Sequence, residues 1–462
     1  MKPKYFLALG LLVLGLGSCG ESFFEQYPSN NITEGNFYKT DDDFNQGVVA
    51  CYAKLKTQMS FHLTEIGYRG DENVLESMAV STQNRYDIDH FAETANNGIL
   101  NDIWNAWYNG IYRCNDVLDQ MTGAKIANYD KYRGECLFLR SWWYFNLYRV
   151  FGVVPITRTV VTPAAAKLIP RCTEEEMYTL LTEDLAEAAR LLPPTPGPEK
   201  ARVANIAAYT LLAKVYLTFG KPAEAKTALE EAMKNTSYGL ESTTKKVFDV
   251  GNKMNREIIF ALYYNKTNDN GHGYWYSANT DVLADINNPT PTFKAIYDSE
   301  KDNRLPLISS YTKIKDNLFA MTKWYDTYDA TYTTQVGNDF PHLRYADVVL
   351  MYAEALAESG GSLGDALEWL NKTRTRAGLD ELTTDEVKSL AEFRRELAAE
   401  RGREFALEGH RWFDLVRLGL AVDYFREMGY SLDSHNLIFP IPQNQIEIVN
   451  NPSILWQNPG FN

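Results

Sequence analysis

The sequence Gly360-Gly361-Ser362-Leu363-Gly364 matches the G-x-S-x-G pattern of a serine nucleophile. That chemistry requires a strained turn between a strand and a helix, because such a turn exposes the serine hydroxyl to a substrate. Here the flanking residues predict a helix on either side. A serine immediately before a helix commonly caps its first turn. We therefore interpret Ser362 as an N-cap in an interhelical turn and not as a nucleophile.

Four titratable residues further along could form an acid-base cluster, because helical spacing brings some of them onto one face. They are Glu408, His410, Arg411 and Asp414. Further charges of both signs lie close by in the sequence, namely Arg401, Arg403, Glu404 and Arg417. Networks of compensating ion pairs perturb pKa values without performing chemistry. We predict a structural salt-bridge network here and no catalytic role for His410.

Other catalytic and metal-binding patterns are missing from the sequence. The chain has neither an H-E-x-x-H motif nor a phosphate-binding loop. With 60 Asp and Glu residues, some carboxylate pair would reach the spacing of a glycoside hydrolase by abundance alone. The five cysteines form no C-x-x-C pair and have no histidine at metal-ligand spacing. The sequence therefore predicts no catalytic residue, no metal and no cofactor.

Aromatic residues make up 13% of the chain, more than the core of an alanine-rich helical scaffold would require. A sugar site pairs flat rings, which cover the apolar face of a pyranose, with polar side chains that bind its hydroxyl groups. Three clusters supply candidate ligand-binding residues: Tyr274, Trp275 and Tyr276; Trp324 and Tyr325; and Arg69, Asp71, Asn84 and Tyr86. Trp275 is the first candidate, because glycines flank its cluster and indole has the largest face. The alternative is that each ring packs on the scaffold and exposes only a polar edge.

The first residues of the chain have the pattern of a lipoprotein signal. Lys2 and Lys4 precede an apolar run that is shorter than a membrane-spanning helix, and the run ends in Leu16-Gly17-Ser18-Cys19. This ending resembles a bacterial lipobox, in which the cysteine is acylated and becomes the first residue. We predict a signal peptide over residues 1–18 and a lipidated tether over residues 19–31. The alternative is an ordinary signal peptide that contains a cysteine. No later segment is apolar enough to span a membrane.

Helical spacing of apolar residues predicts the elements that position these candidates. The predicted helices cover residues 41–55, 101–118, 130–151 and 174–192. The third contains Trp142-Trp143-Tyr144-Phe145, which predicts burial on most of its sides.

The next two helices resemble a tetratricopeptide repeat. Large residues alternate with small ones around a turn at Gly220-Lys221-Pro222, as that repeat requires. A degenerate second copy covers residues 350–356 and 366–370. Because such repeats usually stack in at least threes, we expect the earlier helices to supply further pairs.

A different composition separates the two copies. Residues 246–264 favour a strand around Ile258-Ile259-Phe260, and residues 271–342 are rich in Tyr, Asn, Asp and Pro. We expect residues 246–342 to be loop-rich and to face the ligand. A late helix is predicted over residues 392–420, followed by a polar, Pro-containing tail over 431–462.

Taken in order along the chain, these features resemble the SusD-like (RagB) family of outer-membrane lipoproteins. The resemblance covers nearly the whole mature chain and rests on an ordered set of segments: the lipobox, Thr33-Glu34-Gly35-Asn36-Phe37-Tyr38, residues 104–115, residues 140–155, Arg344-Tyr345-Ala346-Asp347, residues 400–419 with His410-Arg411-Trp412-Phe413-Asp414-Leu415, Phe439-Pro440-Ile441-Pro442 and Gln457-Asn458-Pro459-Gly460-Phe461.

The resemblance implies a mainly α-helical fold, with a scaffold of tetratricopeptide-like helix pairs and an irregular ligand-binding region in one SusD-like domain over residues 32–462. It also implies a cell-surface lipoprotein of the outer membrane that captures oligosaccharides and passes them to a SusC-like TonB-dependent transporter without cleaving them. Peptide binding in the same architecture stays open, as do a lipid-anchored glycoside hydrolase or esterase and a protein-assembly scaffold. The net charge of −14 argues against a nucleic-acid partner, because phosphate contacts require clustered Lys and Arg.

Overall fold

The computed structural model describes residues 37–72, 83–265, 277–279, 289–315, 318–326 and 337–461. The described α-helices are α1 Asp41–Gly67, α2 Gln83–Asp89, α3 Gly98–Gln120, α4 Tyr129–Phe151, α5 Pro163–Ala166, α6 Glu174–Leu191, α7 Asn205–Thr218, α8 Pro222–Met233, α9 Thr244–Val247, α10 Pro291–Lys294, α11 Leu305–Ser309, α12 Tyr345–Glu358, α13 Leu363–Arg376, α14 Leu390–Glu404, α15 Arg411–Arg417, α16 Ala421–Glu427 and α17 Gln443–Val449. The strands are β1 Ile258–Leu262, β2 Ser277–Asn279, β3 Tyr311–Lys315, β4 Leu318–Met321 and β5 Phe340–Arg344. The mainly α-helical class predicted from the sequence is confirmed.

The first long helices pack through their aromatic faces. A capping box begins α1, in which the Thr40 hydroxyl accepts from the Asp43 backbone N–H and the Asp43 carboxylate accepts from the Thr40 backbone N–H. The predicted burial of the aromatic stretch in α4 is confirmed, since Trp143 and Tyr144 are each 0% exposed. Close approach of α3 requires a glycine, because a Cβ atom on Gly110 would lie 2.2 Å from Trp143 Cε2.

The helix pairs inferred from repeat spacing are present. α7 packs on α8, and α12 packs on α13. α8 also packs on α12, so the two pairs are neighbours, while α6 joins α7 to α4. The small residues Ala213, Ala225 and Ala232 are fully buried, which lets the helix backbones approach closely.

The prediction of one late helix over residues 392–420 is wrong. α14 ends at Glu404 and α15 begins at Arg411, and between them Leu407 and Gly409 adopt positive φ angles of 62° and 76°. The spacing of apolar residues does not predict this break in the helix. A non-glycine residue such as Leu407 keeps a left-handed backbone conformation only where tertiary contacts stabilise it. The Leu407 backbone N–H donates to Glu72 Oε1 at 3.0 Å.

One hydrophobic core cluster extends from α1 to the C-terminal tail. Phe44 of α1 is 1% exposed, and Phe439, Ile441 and Leu455 of the tail are 0%, 0% and 2% exposed. The tail is therefore part of the packing, although its sequence is polar and rich in proline. None of the helices in the described ranges has the length and apolar content needed to cross a membrane.

Two small sheets belong to the predicted loop-rich region. β1 pairs antiparallel with β5 in a two-stranded sheet, which confirms the strand predicted around Ile258-Ile259-Phe260. β2, β4 and β3 form an antiparallel sheet in that order.

Candidate functional site

Lys253 holds together the chain segments that lead into residues 266–276 and 327–336. Its ammonium donates to the Tyr264 carbonyl at 2.5 Å and to the Gly337 carbonyl at 2.8 Å, and it lies 2.8 Å from Asp339 Oδ1. Asp339 Oδ1 also accepts from the Tyr264 backbone N–H at 2.9 Å. Burial raises the pKa of Asp339 to about 6, against the opposing effect of Lys253. This charged junction fixes the spacing of the two segments where they leave the β1–β5 sheet.

A second junction fixes the segment that leads into residues 73–82. Asp71 accepts from Arg411 Nε at 2.8 Å, and the Asp71 carbonyl accepts from Thr290 Oγ1 at 2.8 Å. Asp71 is 2% exposed. The prediction that its carboxylate binds sugar hydroxyl groups is therefore not supported by its position, because the carboxylate is already committed to Arg411 and to the Tyr424 hydroxyl.

Arg69 is also part of the interior and not of a ligand surface. Its side chain is 0% exposed, forms an ion pair with Glu93, and lies with its guanidinium carbon 3.8 Å from the centre of the Phe439 ring. Its Nη1 donates to the Asn436 carbonyl at 2.5 Å. The prediction that Arg69 binds ligand is contradicted by this burial. The arginine instead joins the end of α1 to the C-terminal tail.

Trp324 requires the same correction. The indole is 0% exposed and lies between Phe248 and Phe340, with ring centres 5.2 Å and 6.2 Å away. A sugar cannot stack on it in this arrangement. Its neighbour Tyr325 is partly exposed and follows the short 3-10 helix that carries Trp324.

Asn84 and Tyr86 lie on α2. Asn84 is exposed, whereas Tyr86 is half-buried and stacks on His90 with ring centres 3.8 Å apart. The Asn84 carbonyl accepts from Asn97 Nδ2 at 2.9 Å, which ties α2 to the start of α3. Of the candidate residues in the described ranges, Asn84, Tyr86 and Tyr325 keep surface available to a ligand. Tyr274, Trp275 and Tyr276, and likewise Cys19, lie outside the described residues.

The sequence interpretation overlooked two exposed rings in the ligand-facing region. Tyr263, directly after β1, is 44% exposed, and Tyr311, at the start of β3, is 40% exposed. Lys253 Nζ lies 4.0 Å above the centre of the Tyr263 ring. Strand alternation could not have identified Tyr263, because all five residues of β1 are buried and Tyr263 follows the end of the strand.

The predicted salt-bridge network is confirmed. Arg344 contacts three carboxylates, with distances of 2.6 Å to Glu257, 3.0 Å to Glu404 and 2.7 Å to Glu408. Lys323 lies 2.7 Å from Glu408. All of these side chains are at most 2% exposed, so breaking one pair would leave an uncompensated buried charge. The network joins the loop-rich region to α14.

The second part of the network surrounds Asp414. Arg401 and Arg417 each lie 2.8 Å from its carboxylate. Although burial raises the pKa of Asp414, the two arginines outweigh that effect and hold the pKa well below its usual range. Burial holds the pKa of His410 well below its usual range, with Lys214 acting in the same direction. His410 is therefore a neutral buried imidazole, and its neighbour Lys214 is committed to an ion pair with Asp347.

The remaining sequence motif has its predicted role. The Ser362 hydroxyl accepts from the backbone N–H groups of Gly364 and Asp365, and so caps α13. Cys51, Cys114 and Cys136 are buried free thiols. Across the described ranges, no group of three or more His, Cys, Asp or Glu side chains could hold a metal ion.

Two family profiles match the chain at its two ends. The profile described as the SusD family matches residues 302–461, and the profile described as "Starch-binding associating with outer membrane" matches residues 27–217. The chain belongs to the SusD family. SusD-like protein P2 of Formosa agariphila is 25% identical to it over 511 positions, which cover 99% of this chain and 100% of that relative.

The names of two further SusD-family proteins state which glycan they bind. The starch-binding protein SusD of Bacteroides thetaiotaomicron is 33% identical over 154 positions, or 31% of this chain and 26% of SusD. The structure of a laminarin binding SusD-like protein has a TM-score of 0.76 at 24% identity, and the match covers 92% of this chain and 100% of that one. This match shows that the helical scaffold is the SusD fold.

Proposed function

We propose that this SusD-family protein captures oligosaccharides at the cell surface and passes them to a SusC-like TonB-dependent transporter. Family membership over both ends of the chain carries the proposal, together with an alignment to a SusD-like relative along the whole of both chains. The starch-binding and laminarin binding relatives make a glycan the favoured cargo.

The outer membrane is the proposed location. The matching profile is described by association with the outer membrane, and the chain carries the lipobox sequence at Cys19. Two or three acyl chains would anchor the protein stably, since each buried CH₂ contributes about 0.8 kcal/mol. We expect Cys19→Ala to release the protein from outer membranes washed with high salt, as measured by fractionation in cells without the barrel partner. Retention of the variant there would contradict lipid anchoring.

Ligand capture is proposed at the loop-rich region, with Tyr274, Trp275 and Tyr276 as the stacking residues. The junction at Lys253 holds chain that leads into this region, and the junction at Asp71 accepts a hydrogen bond from Thr290 within it. Tyr263 and Tyr325 keep ring surface accessible beside it. The protein is proposed to bind without cleaving, because its titratable clusters are committed to ion pairs that hold the fold.

A binding screen of the mature protein against glycans and peptides, followed by calorimetry on Trp275→Ala, tests this function. Loss of a stacking indole should weaken glycan binding by roughly 1 to 3 kcal/mol, or about tenfold to more than hundredfold, and leave thermal stability unchanged. Trp456→Ala is the matched control, because Trp456 is 41% exposed and stacks on Arg171 beside the tail.

Equal affinities of Trp275→Ala and wild type would contradict the stacking role. Binding of peptides but not of glycans would replace the proposed cargo, and release of shortened glycan products would overturn the non-catalytic assignment.

A further inference from the structure

A cavity of about 430 Å³ lies on the scaffold, away from the loop-rich region. It opens between the end of α4, the start of α6, the end of α7 and α15, and none of its lining residues falls within residues 246–342. Its size lies within the range of about 300 to 1,000 Å³ that small-molecule sites occupy. Its apolar wall is formed by Phe145, Tyr148, Phe413, Leu437 and Ile438.

Arg149 lines this cavity, and one hydrogen-bond donor of its guanidinium has no acceptor in the described ranges. The guanidinium carbon lies 3.9 Å from the centre of the Phe413 ring and 4.8 Å from that of Phe145, so aromatic rings contact its flat faces. Nη2 donates to Asn146 Oδ1, whereas Nε is buried with no hydrogen-bond acceptor in the described ranges. An unsatisfied buried donor in a native protein calls for an explanation, such as a bound water or ion.

The other charges around the cavity are paired with one another. Asp347 forms ion pairs with Lys214 and Arg401. Asp414 pairs with Arg401 and Arg417, and Arg417 also pairs with Glu354. Within the described part of the chain, three carboxylates thus meet three cations, and no carboxylate forms an ion pair with Arg149.

Two further groups line the cavity. Glu174 is exposed, and its carboxylate accepts from the Tyr148 hydroxyl at 2.9 Å. His410 lies with Nδ1 3.4 Å from Lys214 Nζ and is neutral, as described above. Burial lowers the pKa of Arg149 to about 9, which still leaves it protonated at neutral pH. Within the described ranges no carboxylate pairs directly with Arg149, although Asp414 and Asp347 act on its charge from farther away.

We propose that this cavity binds a carboxylate group of a small ligand, with Arg149 as its counter-charge. Because rings cover the faces of the guanidinium, a ligand reaches it at its in-plane N–H edge, and a carboxylate can accept from such an edge with both oxygens. The aromatic and aliphatic wall accommodates the apolar body of a ligand about the size of a monosaccharide. The site is independent of the proposed capture of oligosaccharides in the loop-rich region.

Calorimetry and thermal melts of the mature protein with sodium glucuronate and sodium benzoate test the proposal. Glucose and benzyl alcohol at matched ionic strength are the neutral counterparts. We expect at least one carboxylate to bind and to raise the melting temperature of the wild type, and the neutral molecules to have no effect. Arg149→Gln should weaken binding roughly tenfold or more, because a hydrogen bond to a charged group is lost. Arg149→Lys, which keeps the charge but not the planar edge, should bind with intermediate affinity.

Arg426→Gln is the matched control, because it removes an exposed arginine that pairs with Asp423 on α16, away from the cavity lining. It should bind like the wild type. Failure of both carboxylates to bind the folded wild type, or equal binding by wild type and Arg149→Gln, would overturn the proposal. Sodium sulfate that binds as tightly as the carboxylates would overturn the assignment of a carboxylate ligand in favour of a general anion site.

Discussion

Helix α4 and the loop-rich region differ in their aromatic residues: α4 buries most of its rings, whereas the loop-rich region contains both buried rings, such as Trp324, and exposed ones. In α4 and its neighbours the rings fill the interior, as Trp143 and Tyr144 show by being 0% exposed. In the loop-rich region Tyr263 and Tyr311 keep 44% and 40% of their surface exposed. The difference teaches that aromatic content alone does not identify a sugar site. A ring becomes available to ligand when it lies at the edge of a short element that other residues hold in place.

Replacing a scaffold ring should produce the largest effect on stability. Trp143→Ala should lower the free energy of unfolding by about 3 to 5 kcal/mol, because it leaves a cavity against Gly110 that the packed helices cannot close. The matched variant Tyr263→Ala should stay within about 0.5 kcal/mol of the wild type, since that ring is largely exposed. Denaturant unfolding measures both. A larger loss in Tyr263→Ala than in Trp143→Ala would reverse the comparison.

Acid should weaken the scaffold through His342. Burial lowers the pKa of this histidine to about 3, with Lys214 and Arg149 acting in the same direction, and its ring lies 4.9 Å from that of Trp142. The unfolded chain therefore binds a proton from about pH 6.5 downwards, while the folded chain stays neutral at this site. His342 thus contributes stability that is full above pH 6.5 and is lost as the pH falls toward 3.

The variant His342→Phe isolates this contribution. Between pH 7 and pH 5 it should lose less free energy of unfolding than the wild type, by at most about 2 kcal/mol. Carboxylates elsewhere titrate in both proteins, so their contribution cancels in the difference. If urea titrations at the two pH values give parallel losses, the histidine is not neutral in the folded state.

The smallest effect is expected at the interhelical turn. Ser362→Ala should cost about 1 kcal/mol of stability, because it removes the cap of α13. Ser362→Asp should retain stability, since aspartate also accepts from the first backbone N–H groups of a helix. Neither change should alter glycan binding by the mature protein. Glycan turnover by the wild type that disappears in Ser362→Ala would instead support a nucleophilic role for Ser362, provided that Ser362→Asp is as stable as the wild type.

Helical periodicity predicted much of the scaffold, because buried stripes and capping residues are local signals. The ranges predicted for the early helices lie within or close to α1, α3, α4 and α6. The break between α14 and α15 could not be predicted, because its positive φ at Leu407 depends on the distant Glu72. The sequence around Leu407 does not indicate that Glu72 is its hydrogen-bond partner.

The candidate site was predicted less well, for a related reason. Arg69 and Asp71 have the residue types of a sugar site, but their charges are neutralised by Glu93 and Arg411 from other parts of the chain. Trp324 likewise lies beside an exposed tyrosine in sequence but inside the core in space. Residue type indicates possible chemistry. Whether the side chain is available to a ligand depends on which residues from distant parts of the chain contact it in the folded protein.

The contact between Leu407 and Glu72 has a consequence for folding. It joins residues 335 positions apart, and the hydrogen bond from Arg171 to Asn458 joins residues 287 positions apart. Loop closure over such distances is slow compared with helix formation, because chain entropy must be lost before the contact forms. The helix pairs can therefore form early from neighbouring sequence, whereas the contacts of Asp71 and Glu72 form only after Leu407 and Arg411 have been synthesised. A chain that ends before Leu407 would retain its early helices but leave Asp71 and Glu72 without these contacts, so that the segment before residues 73–82 would lose its anchor.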